Sequence, residues 1–281
     1  MDTNEIYSEI PMRTWRWLGV NEIKTPANIG DDIKKQEITV EAGQSDELVL
    51  EHRNGGQHET VVHVGAGAKL HLVLAQLVPT DAPNSSYTSR VTVDVADGGA
   101  FSYTGAELGG STIASELTVN LTGKESTADV WSLYFGDGAR LLDLNYIIRQ
   151  AGKKTDANMQ VRGTLMGTST KNFRGTLDFL EGAKGSVGRE NEEVMLLDED
   201  VRNRSVPIML SHEDDVDGHH AVAVGRMDEA KLFYLMSRGL DLEEAKSLVV
   251  EASLRPVIDR IPDAKLREEI DSYLKGRLAN G

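Results

Sequence analysis

Cysteine is absent from this chain of 281 residues. That excludes a disulfide framework, a thiolate nucleophile, and any zinc or iron–sulfur centre held by cysteines of this chain alone. Positive charge is scarce. Thirty Lys and Arg face 45 Asp and Glu, a net charge of −15, so nucleic acid is not an expected partner, because phosphate-backbone binding relies on Lys and Arg. Long apolar runs are missing as well. No window approaches the roughly 18 apolar residues of a membrane-spanning helix, so no membrane insertion is expected. The opening MDTNEIYSEIPMRTWRWLG has neither the basic stretch nor the apolar stretch of a signal peptide, which predicts a cytoplasmic location. What remains, 40% hydrophobic and 27% charged, is an ordinary globular composition for one or two domains.

Three zones follow one another. Residues 1–36 mix charge with Trp15, Trp17 and Leu18 and predict a short helical or irregular lead-in. Residues 37–225 hold short runs broken by glycine, among them Glu37–Glu41, Glu47–Glu51, Val61–Val64, Lys69–Leu74, Val91–Val95, Glu116–Leu121 and Asp129–Tyr134. Most alternate apolar with polar residues, the period of half-buried strands. A glycine–alanine pattern recurs around Gly67-Ala68, Gly99-Ala100 and Gly138-Ala139, with glycine expected at the positive-φ corner. Its alanine spacings, 32 and then 39 residues, are too irregular for a strict repeat. Such strings suit a β-solenoid, and a sandwich or jelly roll produces nearly the same pattern.

Residues 226–281 change to helical period. Asp228 is placed to N-cap a helix that ends at Gly239. Asp241 and Glu244 form a capping-box pair for a second, with Ala245, Leu248, Val249 and Ala252 as its apolar line and Pro256 as its kink or end. A third begins near Pro262-Asp263, with Leu266, Ile270, Tyr273 and Leu278 on a stripe. These helices are too few for a core of their own and should pack on the β body.

One segment is dense in metal-ligating side chains. Ser211–His220 carries His212, His219 and His220 with four carboxylates, a mixture that suits a divalent transition metal. Its spacing matches neither a zinc-protease helix nor a calcium loop, and an acidic exposed turn leading into a strand at Ala221–Val224 is the plainer alternative. His63 and His71 fall at alternating positions and should line the polar face of a sheet. No phosphate-binding loop and no nucleophile elbow is present. Gly182, Gly185 and Gly188 are read as a hairpin or solenoid corner, and the three tryptophans as packing anchors.

The string from Asp214 to Leu240, containing Asp-Val-Asp-Gly-His-His220-Ala-Val-Ala-Val-Gly225 and Leu232-Phe-Tyr-Leu-Met-Ser-Arg-Gly239, resembles the SufB/SufD family of iron–sulfur cluster assembly proteins. Gly188–Asp198 is similar to the last β coils of that family. The resemblance is tight over about 188–260 and one of style over 37–187. It implies a right-handed parallel β-helix over 37–225 and a small helical domain over 226–281. It also implies dimerisation through the β-helix and docking of the ATPase SufC on the C-terminal helices, where Phe233, Tyr234 and Arg238 are the expected contacts. His220 matches the SufD-type histidine that helps hold a nascent cluster at the dimer interface, with His219 a weaker candidate. Pro207 stands where SufB-type chains carry cysteine, Ala221 where they carry glutamate, and Gly218 where SufD-type chains often carry cysteine.

The resemblance therefore implies a non-catalytic, SufD-like subunit. It would partner a cysteine-bearing SufB-type scaffold and a SufC-type ATPase, binding no cofactor stably by itself, with iron or an iron–sulfur cluster present only transiently in the complex. Two other readings fit parts of the sequence: a β-helix enzyme acting on polysaccharide, and a homo-oligomeric metal-binding module using His212, His219 and His220.

Overall fold

The computed structural model describes residues 6–11, 16–26, 29, 32–79 and 85–279; Trp15 lies outside them. The lead-in forms a two-stranded antiparallel ribbon, β1 (Ile6–Tyr7) with β2 (Ile23–Lys24), around a single 3-10 turn at Arg16–Leu18. Fourteen strands follow: β3 (Ile33–Val40), β4 (Ser45–His52), β5 (Gly56–Val64), β6 (Lys69–Gln76), β7 (Ser86–Val95), β8 (Ala100–Glu107), β9 (Thr112–Leu121), β10 (Thr127–Gly136), β11 (Leu141–Gln150), β12 (Asp156–Leu165), β13 (Thr170–Phe179), β14 (Ser186–Leu196), β15 (Arg202–Ser211) and β16 (Val216–Arg226). Every odd strand pairs in parallel with the next odd strand and every even strand with the next even one, giving two seven-stranded sheets. The chain thus coils as a parallel β-helix, two strands to a turn.

The corners explain the irregular glycine pattern. Gly43, Gly67, Gly98, Glu125, Lys154 and Gly185 all take positive φ. Each donates its backbone N–H to the corner of the next coil, to Ala66, Asp97, Lys124, Lys153, Lys184 and Asp215 respectively. They stack as one ladder of left-handed residues along one edge of the solenoid. Gly110, Gly138 and Gly167, also at positive φ, belong to the opposite corner. The spacing of 32 links two coils at one corner, whereas the spacing of 39 crosses to the other.

Inward-facing side chains alternate along each strand and fill the space between the sheets, with Val62, Leu72, Val93, Phe101, Val119, Val130, Leu144, Met159 and Phe173 all buried. A second core covers the outer face of the even sheet. There Val73, Ala106, Leu133 and Phe135 pack beneath two helices, α2 (Leu242–Ile258) and α3 (Ala264–Ala279), which follow the shorter α1 (Glu229–Ser237). Asp228 caps α1, Asp241 and Glu244 complete the capping box of α2, and Gly239 takes φ +100° beyond α1. Asp263 accepts hydrogen bonds from the first amides of α3.

Three local expectations are corrected. The buried line of α2 is Ala245, Val250, Leu254, Val257 and Ile258, while Leu248 and Ala252 face solvent. The sheet beneath α2 sets that face, and Val250, Leu254, Val257 and Ile258 join the apolar cluster that covers it. Pro256 stands two residues before the last residue of α2, Ile258, in keeping with its reading as the kink or end of that helix. Trp17 is 78% exposed and so is not part of the buried core. The lead-in is a ribbon strapped over the odd sheet: Arg174 donates to the carbonyls of Val20 and Asn21, and Ser8 bonds the carboxylate of Asp143.

Candidate functional site

The histidine segment occupies one end of the solenoid. β15 and β16 are the outermost strands of their sheets, each with one edge unpaired among the described residues. β16 begins at Val216, so His219 and His220 lie inside a strand, and the exposed turn is limited to residues 212–215. Period 2 then separates the two rings. His219 points outward and pairs with Asp217 at 2.9 Å on the solvent face. His220 shares the parity of Val216 and Gly218, which face the core, so it stands at the mouth of the lumen and is exposed. His212 lies in the turn, also exposed. Among the described residues, no three His, Asp or Glu side chains already converge at metal-ligand spacing. His63 and His71 sit on outer faces beside Asp94 and Glu47, as alternation predicts.

The lumen below the mouth contains charged groups that the sequence reading did not single out. Glu190 and Glu192, two apart on β14, both point inward and are 3% and 0% exposed. Lys171, facing them from β13, is fully buried, lies 2.5 Å from Glu192, and also donates to Ser205 of β15. The Tyr134 hydroxyl donates to Glu192 at 2.9 Å. That reach depends on Gly163, where an added Cβ would lie 1.9 Å from the tyrosine ring. Glu190 rests against Gly175, and neither of its oxygens has a hydrogen-bond partner among the described residues. Burial first, then the neighbouring Glu192 charge, pushes the Glu190 carboxyl up to about 8. Burial lowers Lys171, against the upward pull of Glu192. Strand parity was the available signal: Lys171, Glu190 and Glu192 occupy positions that alternation assigns to the core, where a charge is rare.

Two of the three positions that depart from the family pattern, Pro207 and Gly218, also face this mouth, whereas Ala221 shares the outward parity of His219. Pro207, in register with Gly175, sits in the outermost strand β15, where a missing backbone donor is tolerated. Gly218 lies under Met209, whose sulfur would be 2.6 Å from an added Cβ, so the thioether occupies the space a side chain there would use.

Beyond the mouth the surface becomes apolar. Val222 and Val224 of β16 and Phe233, Tyr234 and Met236 of α1 are exposed, Phe233 by 75%. α1 buries none of its residues. Arg238 lies over the Tyr234 ring at 5.2 Å, so the two form one exposed cation–aromatic unit. Phe233 is therefore not a core residue.

Comparison with known proteins agrees with this geometry. Residues 29–253 match the SufBD core domain of the SUF system for iron–sulfur cluster assembly. The iron–sulfur cluster assembly protein SufD of Bacillus subtilis is 32% identical over 169 residues, covering 60% of this chain and 38% of that protein. Two SufBD family proteins of Mycobacterium leprae are 27% and 26% identical, over 62% and 82% of this chain and 20% and 61% of their own lengths. The chain thus spans between about a fifth and three fifths of these relatives. A parallel β-helix carrying the histidine strand at its open end, matched over most of its length, places the chain in the SufBD family of iron–sulfur cluster assembly proteins.

Proposed function

We propose that the chain is a SufD-like, non-catalytic subunit of a cytoplasmic Suf complex. It joins a cysteine-bearing SufB-type chain through the open end of its β-helix, and a SufC-type ATPase through its C-terminal helices. The observation that carries this reading is the exposed His220 at the mouth of a cysteine-free solenoid. An imidazole there is half of a coordination site, and a partner seated on the unpaired edges of β15 and β16 would bring the thiolate. Phe233, Tyr234 and Arg238 offer the aromatic and guanidinium groups that dominate protein interfaces, and they are the proposed ATPase contacts. His219, turned outward to Asp217, has the lesser role.

Native co-purification is the test. Tagged chain is expected to retrieve a SufB-type and a SufC-type subunit, and His220→Ala to lower the rate of cluster formation in the reconstituted complex at least several-fold. Retrieval of neither subunit removes the assembly reading. An unchanged rate removes His220 from the site.

A further inference from the structure

At the end of the solenoid far from β16, β3 and β4 are the outermost strands of their sheets. Positions that alternation turns into the lumen carry nitrogen side chains there. Lys34 shares the parity of Ile38 and Val40, His52 that of Leu48 and Leu50, and His58 that of Val62 and Val64, all of which pack in the core. Lys34 and His58 are in register on neighbouring strands, one strand spacing of about 4.8 Å apart. The two imidazoles stack with centroids 3.9 Å apart. His52 Nδ1 meets the Tyr87 hydroxyl at 2.7 Å, and the buried Tyr87 ring lies against both imidazoles. His58 is 8% exposed, yet its Nε2 has no hydrogen-bond partner among the described residues. The backbone of Asn54 accepts from its other ring nitrogen. A buried polar atom left without a partner is costly. The carboxylates of the neighbouring strands point elsewhere. Glu51 and Glu59 alternate to the outer faces, where they pair with Arg53 and Lys35, and Glu107 lies two strands further in than His52, behind Gln76.

We propose that Lys34, His52 and His58 form a binding site for a small oxyanion at this second mouth of the lumen. The site goes beyond the assembly reading and does not depend on it. An ammonium and two imidazoles offer N–H donors and no acceptor oxygen, which is the set that sulfate, phosphate and carboxylate groups need. The ammonium also repels a metal cation, which would otherwise compete for the same ring nitrogens. Because the proton of the neutral His58 ring is committed to Asn54, its Nε2 carries a lone pair and becomes a donor only by taking up a proton. Anion and proton therefore enter together. The anion offsets the cost of charging a buried ring beside a second ring and an ammonium, and it gives Nε2 its missing partner. Tyr87, on the lumen side, keeps the anion at the mouth, within reach of Lys34.

The test is calorimetric titration of the full, untagged chain with sodium sulfate at fixed chloride concentration, since the charge of sulfate does not change over the pH range used. One equivalent is expected to bind, and its affinity to rise about twofold or more between about pH 7 and 5.5. Lys34→Met, at an exposed position, is expected to weaken binding roughly tenfold. His58→Gln is expected to remove most of the rise at low pH, and His219→Ala, at the other end, to change neither. Sulfate also stabilises proteins by exclusion from their surface. That effect persists in Lys34→Met, so the difference between parent and variant reads the site. Parent affinity in Lys34→Met, or the full pH dependence in His58→Gln, overturns the proposal. A parallel titration with sodium acetate near pH 7 identifies the anion. Tighter acetate assigns the site to a carboxylate and tighter sulfate to a free tetrahedral ion, and either upholds it if Lys34→Met weakens the binding. Absence of binding by both ions overturns it. No partner chain takes part, so this result and the co-purification result stand or fall separately.

Discussion

Arg174 and Asp143 are both fully buried, and the guanidinium reaches both carboxylate oxygens at 2.8 Å. The same guanidinium holds two carbonyls of the lead-in, so one ion pair fastens the ribbon to the odd sheet. Removing one partner of such a pair leaves an uncompensated charge, which costs about 3–5 kcal/mol. Arg174→Met is therefore expected to lose about that much in urea unfolding, and adding Asp143→Asn should recover part of it. At the opposite end of the solenoid, His52 and His58 stack at 3.9 Å beside Tyr87. Burial chiefly holds both rings down to about 4, with the His58 charge and then Lys34 adding for His52, and Lys34 adding for His58. Their ordinary value is 6.5, so between pH 6.5 and 4 the unfolded chain takes up protons that the folded chain refuses. The stability from these rings is complete above that window, falls as pH drops through it, and levels off below about 4. His58→Gln should remove about half of the slope contributed by the pair. An identical urea midpoint-versus-pH curve in the variant would show that the rings do not carry it.

The corner ladder is the element whose repeat was hardest to read. Its residues are Gly, Gly, Gly, Glu, Lys and Gly in chain order, so a search for glycine loses the repeat at Glu125 and Lys154 and picks up the other corner at Gly138 instead. Alternation, in contrast, was legible in nearly every strand, because the period of 2 is imposed by burial on one side and solvent on the other. The caps of α1 and α2 were equally legible, since each is a local contact between a side chain and the first amides of its own helix. The rotation of α2 was not legible, because it depends on which sheet lies beneath it. Lys154 and Glu125 sit at φ +55° and +57°, a conformation that costs a residue with a Cβ about 1–2 kcal/mol. Glycine escapes that cost but loses roughly 0.5–1 kcal/mol of chain entropy. Lys154→Gly should therefore stabilise the solenoid by up to about 1 kcal/mol, read as a higher melting temperature. Gly163→Ala acts in the opposite direction. Its methyl group would overlap the Tyr134 ring, and the loss should shrink when Tyr134→Ala is introduced in the same chain, a coupling that a double-mutant cycle measures.

At the scale of the whole molecule the two flanks of the helical region differ in what they leave uncovered. α2 and α3 seal the even sheet over β6, β8 and β10, whereas β16 keeps Val222 and Val224 exposed and α1 keeps Phe233 and Tyr234 exposed. Outermost strands with free backbone groups and apolar side chains are surfaces that a stable protein either blunts or pairs. β15 is partly blunted by Pro207, but β16 has no proline. A second copy of this chain would bring another net charge of −15 to the contact, which favours a less acidic partner over self-association. The two exposed surfaces can be separated by substitution. Val222→Asp with Val224→Asp should abolish retention of the proposed SufB-type partner while leaving the proposed ATPase docking on α1 in place. Phe233→Asp should do the reverse. Both changes fall on exposed side chains, so unfolding free energy should stay within about 1 kcal/mol of the parent. Co-elution on a sizing column, read beside a melting curve, then assigns each surface. If the double aspartate retains the SufB-type partner, the open end of the solenoid is not the interface, and the half-site at His220 would have to be completed from elsewhere.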